Sequence, residues 1–499
     1  MRPTSRLYPY RRRGSRPAIA GRGTPLPREH PVEIPAEAGE DALALSLRRW
    51  RQREQCRLIW RDMNRLDGLE GITSDLSLLA EHCLDCALDC VYRDMCADLG
   101  TPCDADGIAQ RLVVIGRGKL GAADLNLSAD IDLLFAFPAS GESRGGRRPL
   151  RTQDFFVRLA RRLIALLDAH TGDGFVFRID MRLRPYGESG ALALSFGAMQ
   201  EYYLSQGRDW ERYAMIKARV VAGDREQGAQ LLDLLRPFVY RRYVDFSAIE
   251  SLRDMKSLIV REVARLGKQQ DVKLGAGGIR AVEFIGQDFQ LIRGGREPEL
   301  QQRALLAVLD CLGAGGYLPL PVVAELQQAY HFLRCSEHAI QGMYDQQTQA
   351  LPGEELDRLR MAWIMGFDSW DEYTVELARH RNNVRRHFNA LRSTAEQEEV
   401  VEDVAGQWVD LWIGAAPEEE ALKWLADHGY RKPAEVYRRL AAIRDCSKVR
   451  QMQALARERL DAFMPLILAE WAEASEPDLL LERELPLVEA VLRLSLIHI

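Results

Sequence analysis

No stretch of this 499-residue chain approaches the ~20 consecutive apolar residues that a membrane-spanning helix needs. A basic excess is also missing. The 67 Lys and Arg residues face 73 Asp and Glu, and the net charge of −6 excludes a broadly basic nucleic-acid binder, though not a local basic site. Histidine is sparse, and His170, His331, His338 and His380 show no ligand spacing, so they read as structural or exposed. The arginine-rich start, "MRPTSRLYPYRRRGSRP", has no apolar core behind it and is therefore not a secretory signal; it reads as a disordered arm or a mis-assigned start. What remains is globular in kind: 47% hydrophobic and 28% charged residues, with length enough for about two to four domains.

Cysteine is not scarce, and its placement invites a metal reading. "HCLDCALDCVYRDMC" brings Cys83, Cys86, Cys90 and Cys96 close to His82. However, Leu76, Leu79, Cys83, Cys86, Ala87 and Cys90 share one helical face, and no Gly or Pro forms a knuckle. Structural zinc sites usually draw on two separated ligand pairs. These cysteines are expected as small core residues of a reduced, cytoplasmic protein.

The chain divides by composition. Residues 1–38, rich in Arg, Pro and Gly, read as a disordered basic tail. Residues 39–110 hold N-terminal helices at 40–66 and 74–98, the second capped by Ser74 or Asp75. Residues 111–222 contain the strands "RLVVIG" (111–116), "DIDLLFAF" (130–137) and "GFVFRIDMRLRP" (174–185), a loop at 140–150 and a helix at 152–170. After Pro185 the periodicity predicts helices at 196–206, 209–222, 226–241, 246–266, 279–293, 300–314, 320–344, 353–365 and 370–392, so 223–392 is a helical domain. An acidic linker (393–403) leads to a helical bundle (404–499), which stops at "VLRLSLIHI" without a cap or breaker and reads as a truncated frame.

The chemistry centres on "NLSADIDLLFAF". Side chains at i and i+2 of a strand point the same way. Asp130 and Asp132 therefore project together from a strand whose other residues are apolar. Two adjacent carboxylates amid apolar side chains are costly without a cation between them, and hard oxygen ligands favour Mg2+ or Mn2+. Asp180, on the polar face of the third strand, can supply a third carboxylate, and Arg178, Arg182 and Arg184 add charge suited to phosphate. That is a layout for metal-assisted phosphoryl transfer. Upstream, in "VIGRGKLGAADLN", Gly116, Gly118 and Gly121 allow close backbone approach to a phosphate, and Lys119 adds a point charge.

With these residues in view, "LGA…SADIDL" resembles the nucleotidyltransferase pattern of the DNA polymerase β superfamily. More specifically, "GRGKLGAADLNLSADIDLLFAF", "GFVFRIDMRLRPYGESGALALS", "GRDWERYAMIKARVVAGD" and "KLGAGGIRAVEFI" resemble the bifunctional glutamine synthetase adenylyltransferase/adenylyl-removing enzymes, over about residues 40–395. The resemblance implies an α+β fold: a polymerase β-like domain with a small mixed sheet and helices on one side, an all-helical domain covering the cleft, and the final bundle. It implies the adenylyl-removing half, in which adenylyl-tyrosine plus phosphate gives ADP and free tyrosine. Carried over position by position, Asp130, Asp132 and Asp180 match the catalytic metal-binding carboxylates, and Gly118, Lys119 and Gly121 the phosphate-approach loop. Arg182, Arg184, Lys273 and Arg280 are candidates for the incoming phosphate. Implied partners are glutamine synthetase, the PII signalling protein, ADP or ATP, inorganic phosphate and glutamine as effector, with no nucleic acid and no membrane.

Two positions depart from the pattern: Ala122 stands where Gly or Ser is preferred, and Ala281 where glutamate is usual, with Glu283 two residues on. Trp210 and Tyr213 either stack on adenine or fill a core. Two other readings remain open from the residues: ATP-dependent adenylylation, and a regulatory nucleotide- or PII-binding module with weak turnover. The intact three aspartates argue against the latter.

Overall fold

The structure is a computed structural model. It describes residues 39–146, 148–241, 270–414, 417–446, 449, 452, 454–472, 474 and 477–494. The expected basic tail at 1–38 and the helix expected over 246–266 lie outside the described residues.

Two long helices come first, α1 (Glu40–Met63) and α2 (Leu69–Leu99). α2 begins nearly two turns earlier than its sequence cap suggests, with Gly68 as N-cap. Asp75, expected to cap it, is instead buried against the fully enclosed guanidinium of Arg61. The cysteine face of α2 is core: Cys83 and Cys90 are buried, and Cys86 and Cys96 pack against the same cluster.

The strands follow: β1 (Thr101–Asp104), β2 (Val113–Gly116), β3 (Ile131–Phe137), β4 (Gly141–Arg144), β5 (Ile179–Asp180), β6 (Ala193–Ser195) and β7 (Arg219–Gly223). A five-stranded mixed sheet runs β5-β3-β2-β7, with β6 also on β3. β2 is antiparallel to β3 and β7, while β5 and β6 run parallel to β3. Three sequence expectations are corrected here. The strand expected over 174–185 is reduced to β5, because Val176 and Phe177 are both buried and both donate to the Leu167 carbonyl, which breaks the alternation. The loop expected at 140–150 contains β4, paired antiparallel with β1. The helix expected over 209–222 ends at Met215, and its β-branched tail becomes β7 at the sheet edge.

Helices cover both faces of this sheet, not one. Ile131, Leu133, Phe135 and Phe137 of β3 face a core built with α1, α2 and α4 (Thr152–Asp168). Leu134 and Ala136 face a second core with α5 (Phe196–Ser205), α6 (Asp209–Met215) and α7 (Arg225–Val239). A strand apolar on both sides requires this, since each exposed Leu or Phe forgoes about 1.5–3 kcal/mol of burial. The N-terminal helices and the five-stranded sheet thus share one core.

Between β2 and β3 lies the one-turn helix α3 (Gly118–Gly121). The later helices are α8 (Ile279–Arg293), α9 (Leu305–Ala314), α10 (Leu320–Tyr344), α11 (Glu355–Met365), α12 (Trp370–Ile413), α13 (Glu418–Asp427), α14 (Pro433–Arg444), α15 (Ala454–Ala472) and α16 (Pro477–Leu494). The segment expected as an acidic linker, 393–403, is helical within α12; it contains no Gly or Pro to stop the helix. The chain separates into two compact units at Phe388/Asn389. The second has its own core of Trp408, Trp412, Leu425, Leu440, Met464, Leu468 and Trp471, with the Trp412 indole donating to Asp461 at 2.8 Å.

Candidate functional site

β3 positions the carboxylates. Asp132 is its second residue and pairs in register with Asp180 of β5, so the two lie side by side on neighbouring strands. Asp130 precedes the strand by one residue, and all three line one cleft. Their states differ. Burial, only partly offset by Arg117, raises the Asp132 carboxyl above its ordinary value. Among the described residues that carboxylate has no hydrogen-bond or ion-pair partner. Asp180 is held low by the guanidinium of Arg182, which grips both its oxygens at 2.6–3.1 Å. Asp130 accepts from Arg178 Nε at 2.8 Å, and Arg178 also reaches Ser128 at 2.9 Å.

The preceding loop presses against these groups. Gly118 has φ +54°, and a Cβ there would come within 2.8 Å of Asp132 Oδ2, so only glycine lets the loop pass the carboxylate. Arg117 is fully buried, gives its Nη1 to the Leu183 carbonyl at 2.7 Å, and leaves Nε and Nη2 without partners. Lys119 lines the cleft, but its ammonium is bound to Glu337 of α10 at 2.8 and 2.9 Å. Burial lowers Lys119 to about 7 despite that partner. Burial alone would raise Glu337, yet Lys119 and Arg334 hold it at about 2. Arg334, fully buried, also binds Asp124 at 3.0 Å, tying the loop after α3 to α10.

The opposite wall comes from the turn "QDVKLGAGG" and from α8. Asp271 Oδ1 accepts from the backbone N–H groups of Lys273 and Leu274 at 2.8 and 2.9 Å, and Arg381 of α12 donates to the Asp271 carbonyl at 2.6 Å. Lys273 is half-buried at the cleft, and its ammonium has no hydrogen-bond or ion-pair partner among the described residues. On α8, Arg280, Glu283 and Gln287 fall on one face and all line the cleft. Glu283 takes a 2.7 Å bond from buried Lys217; burial would raise it, but Lys217 holds it at about 2.

Of the residues singled out from sequence, Gly118, Lys119, Asp130, Asp132, Asp180, Arg182, Lys273 and Arg280 therefore converge on one cleft. Gly121 and Arg184 do not line it. Gly121 lies behind the loop, where a Cβ would stand 1.9 Å from the Lys217 carbonyl. Arg184 spends its guanidinium on the carbonyls of Met181, Glu188 and Gly190 at 2.8–3.1 Å. Tyr213 lines the cleft, whereas Trp210 is exposed and does not. Sequence reasoning missed Arg117, Asn126, Gln287, Gln347 and Gln349. Only Gln287 carried a signal, its helical spacing from Arg280 and Glu283.

Among the described residues no three His, Cys, Asp or Glu side chains are gathered closely enough to hold a metal ion. The donor set nevertheless suits a hard divalent cation: oxygen ligands only, with the innermost carboxylate desolvated and unpaired. Arg178 and Arg182 neutralise the other two, and Arg182 is 76% exposed and free to turn away.

A mixed sheet with two aspartates on neighbouring strands, entered by a glycine loop and roofed by helices, defines a nucleotidyltransferase of the polymerase β-like class. The comparisons with known proteins agree. Residues 25–234 match the family model for glutamate–ammonia ligase adenylyltransferase, and residues 253–392 match that for GlnD PII-uridylyltransferase. The chain is 54% identical over 463 residues to the bifunctional glutamine synthetase adenylyltransferase/adenylyl-removing enzyme of Pseudomonas aeruginosa, covering 92% of this chain and 47% of that protein. Proteins of the same name from Hahella chejuensis (50% over 463 residues; 93% and 48% covered) and Nitrosococcus oceani (49% over 455 residues; 91% and 47% covered) are also similar. The chain belongs to the glutamine synthetase adenylyltransferase family. It spans about half the length of the curated relatives it matches.

Proposed function

We propose that this chain removes AMP from adenylylated glutamine synthetase by phosphorolysis, releasing ADP. The observation that carries the reading is the in-register pair Asp132 and Asp180 facing, across one cleft, the unpaired ammonium of Lys273. A carboxylate pair suits a cation bound to the ester phosphate; a free ammonium beside Arg280 suits a second, incoming phosphate. Asp130, Asp132 and Asp180 would hold Mg2+ or Mn2+, which when bound neutralises charge on the α-phosphate and the departing phenolate.

The chain's own residues do the rest. Lys273 and Arg280 bind inorganic phosphate and orient one of its oxygens toward the α-phosphorus. The new P–O bond forms as the bond to the tyrosine oxygen breaks; the phenolate leaves and takes a proton. Gly118 lets backbone N–H groups approach the nucleotide phosphate. Lys119, already paired with Glu337, holds the loop to α10 and is not a free phosphate ligand. The names of the relatives support glutamine synthetase as the protein substrate, and the uridylyltransferase-like match over 253–392 supports control through PII; glutamine as an effector rests on the family resemblance alone. The nine free cysteines suit a cytoplasmic setting.

The test supplies purified chain and Mg2+ with glutamine synthetase carrying labelled AMP, with and without phosphate and uridylylated PII. Labelled ADP appearing only with phosphate is the expected result. Labelled AMP would mean hydrolysis, and labelling of glutamine synthetase from ATP would mean the opposite reaction; either outcome overturns the proposal.

A further inference from the structure

The cleft has a polar end that phosphoryl chemistry does not use. Gln287 is 4% exposed, lines the cleft, and its carboxamide has no hydrogen-bond partner among the described residues. Its polar atoms are not among the buried unsatisfied ones, so the amide of an otherwise enclosed side chain opens into the cleft, where a ligand can pair with it. Glu283, one turn back on α8, is bound by Lys217, and Phe284 packs against the Tyr213 ring at 5.2 Å. Along α8, Arg280 and Gln287 are seven residues apart, about 10 Å of helix. The helix therefore carries a cation at its start, where phosphate is expected, and a neutral donor–acceptor group further on, in a cleft that Tyr213 also lines.

A purine base is neutral and flat, and adenine presents an amino donor next to a ring-nitrogen acceptor. A glutamine carboxamide matches that edge with two hydrogen bonds. On the edge formed by that amino group and N7, hypoxanthine and guanine present two acceptors, which a carboxamide cannot satisfy with two bonds whichever way it is turned. We propose that Gln287 is the residue that selects adenine, its carboxamide pairing with the amino group and adjacent ring nitrogen while Tyr213 lies against the base. This rests on the reading of the cleft as an adenylyl site.

The test is equilibrium binding of ADP and of inosine diphosphate, with Mg2+, to the whole chain and to Gln287→Met and Gln287→Glu. The unaltered chain should bind ADP about ten- to hundredfold more tightly than inosine diphosphate. Gln287→Met, apolar and of similar size, should lose most of that preference by weakening ADP alone. Gln287→Glu, which loses the amide donors, should weaken ADP as well. An unaltered chain that does not discriminate overturns the proposal, whatever the variants do. So does a Gln287→Met chain that melts normally and keeps the full preference. If either happens while labelled ADP is still released from glutamine synthetase, only the role of Gln287 is lost. If neither diphosphate binds at all, the adenylyl reading fails with it.

Discussion

Asp132 is the residue on which most converges: it sits in register with Asp180, beneath Gly118, and bears a desolvated carboxylate. Asp132→Asn should lower ADP release by about two to three orders of magnitude, the scale of losing one charged partner of a transition state. Thermal stability should hold or rise, because a costly buried charge is removed. Gly121→Ala has the opposite profile. Its Cβ would collide with backbone, so it should cost about 1–3 kcal/mol of stability in denaturant titrations. At this scale the sequence was legible where a residue type was improbable in its setting. Carboxylates inside an apolar strand and glycines beside them stand out. Arg184 stood out equally, yet it serves backbone carbonyls of its own turn, and no pattern in one strand reveals what a long side chain will reach. Gln347 and Gln349 come from a loop after α10 and reach the cleft only through the chain's path.

At the scale of elements, α10 is the support for the glycine loop beside Asp132. Arg334 and Glu337, three residues apart and fully buried, bind Asp124, just after α3, and Lys119, within it. Arg334→Met should destabilise the chain by about 3–5 kcal/mol, measured by urea unfolding, because it strands buried carboxylates. The acid range gives a second check. Glu283 and Glu337 sit at about 2 in the fold against an ordinary 4.5. The unfolded chain then binds more protons between those values, so their stabilisation is complete above about pH 4.5 and drains away as pH falls toward 2. Glu283→Gln should be less stable at neutral pH and lose less stability on acidification. The helices were legible from periodicity, α10 to the residue. β7 was not: a β-branched run after a helix reads as more helix until the partner β2 is known; β5 reads as part of a strand far longer than the two residues that pair with β3.

At the scale of the molecule, the two units each enclose a core of their own. Met464→Ala, in the second core, should lower one melting transition in calorimetry, with a cost of about 2–5 kcal/mol, and leave ADP release unchanged. The boundary was visible as a drop in apolar content near residue 393, but its helical continuity was not, since acidity marks solvent exposure and not a break. The two-sided cover of the sheet was not read from the sequence, whose family resemblance implies helices on one side, although β3 carries apolar residues on both faces. The arginines that hold Asp130 and Asp180 carry a further implication. A cation must displace them, and the phosphates of a nucleotide offer them somewhere to go. Cation and nucleotide should then bind with positive cooperativity, and by linkage the factor by which ADP tightens Mg2+ must equal the factor by which Mg2+ tightens ADP.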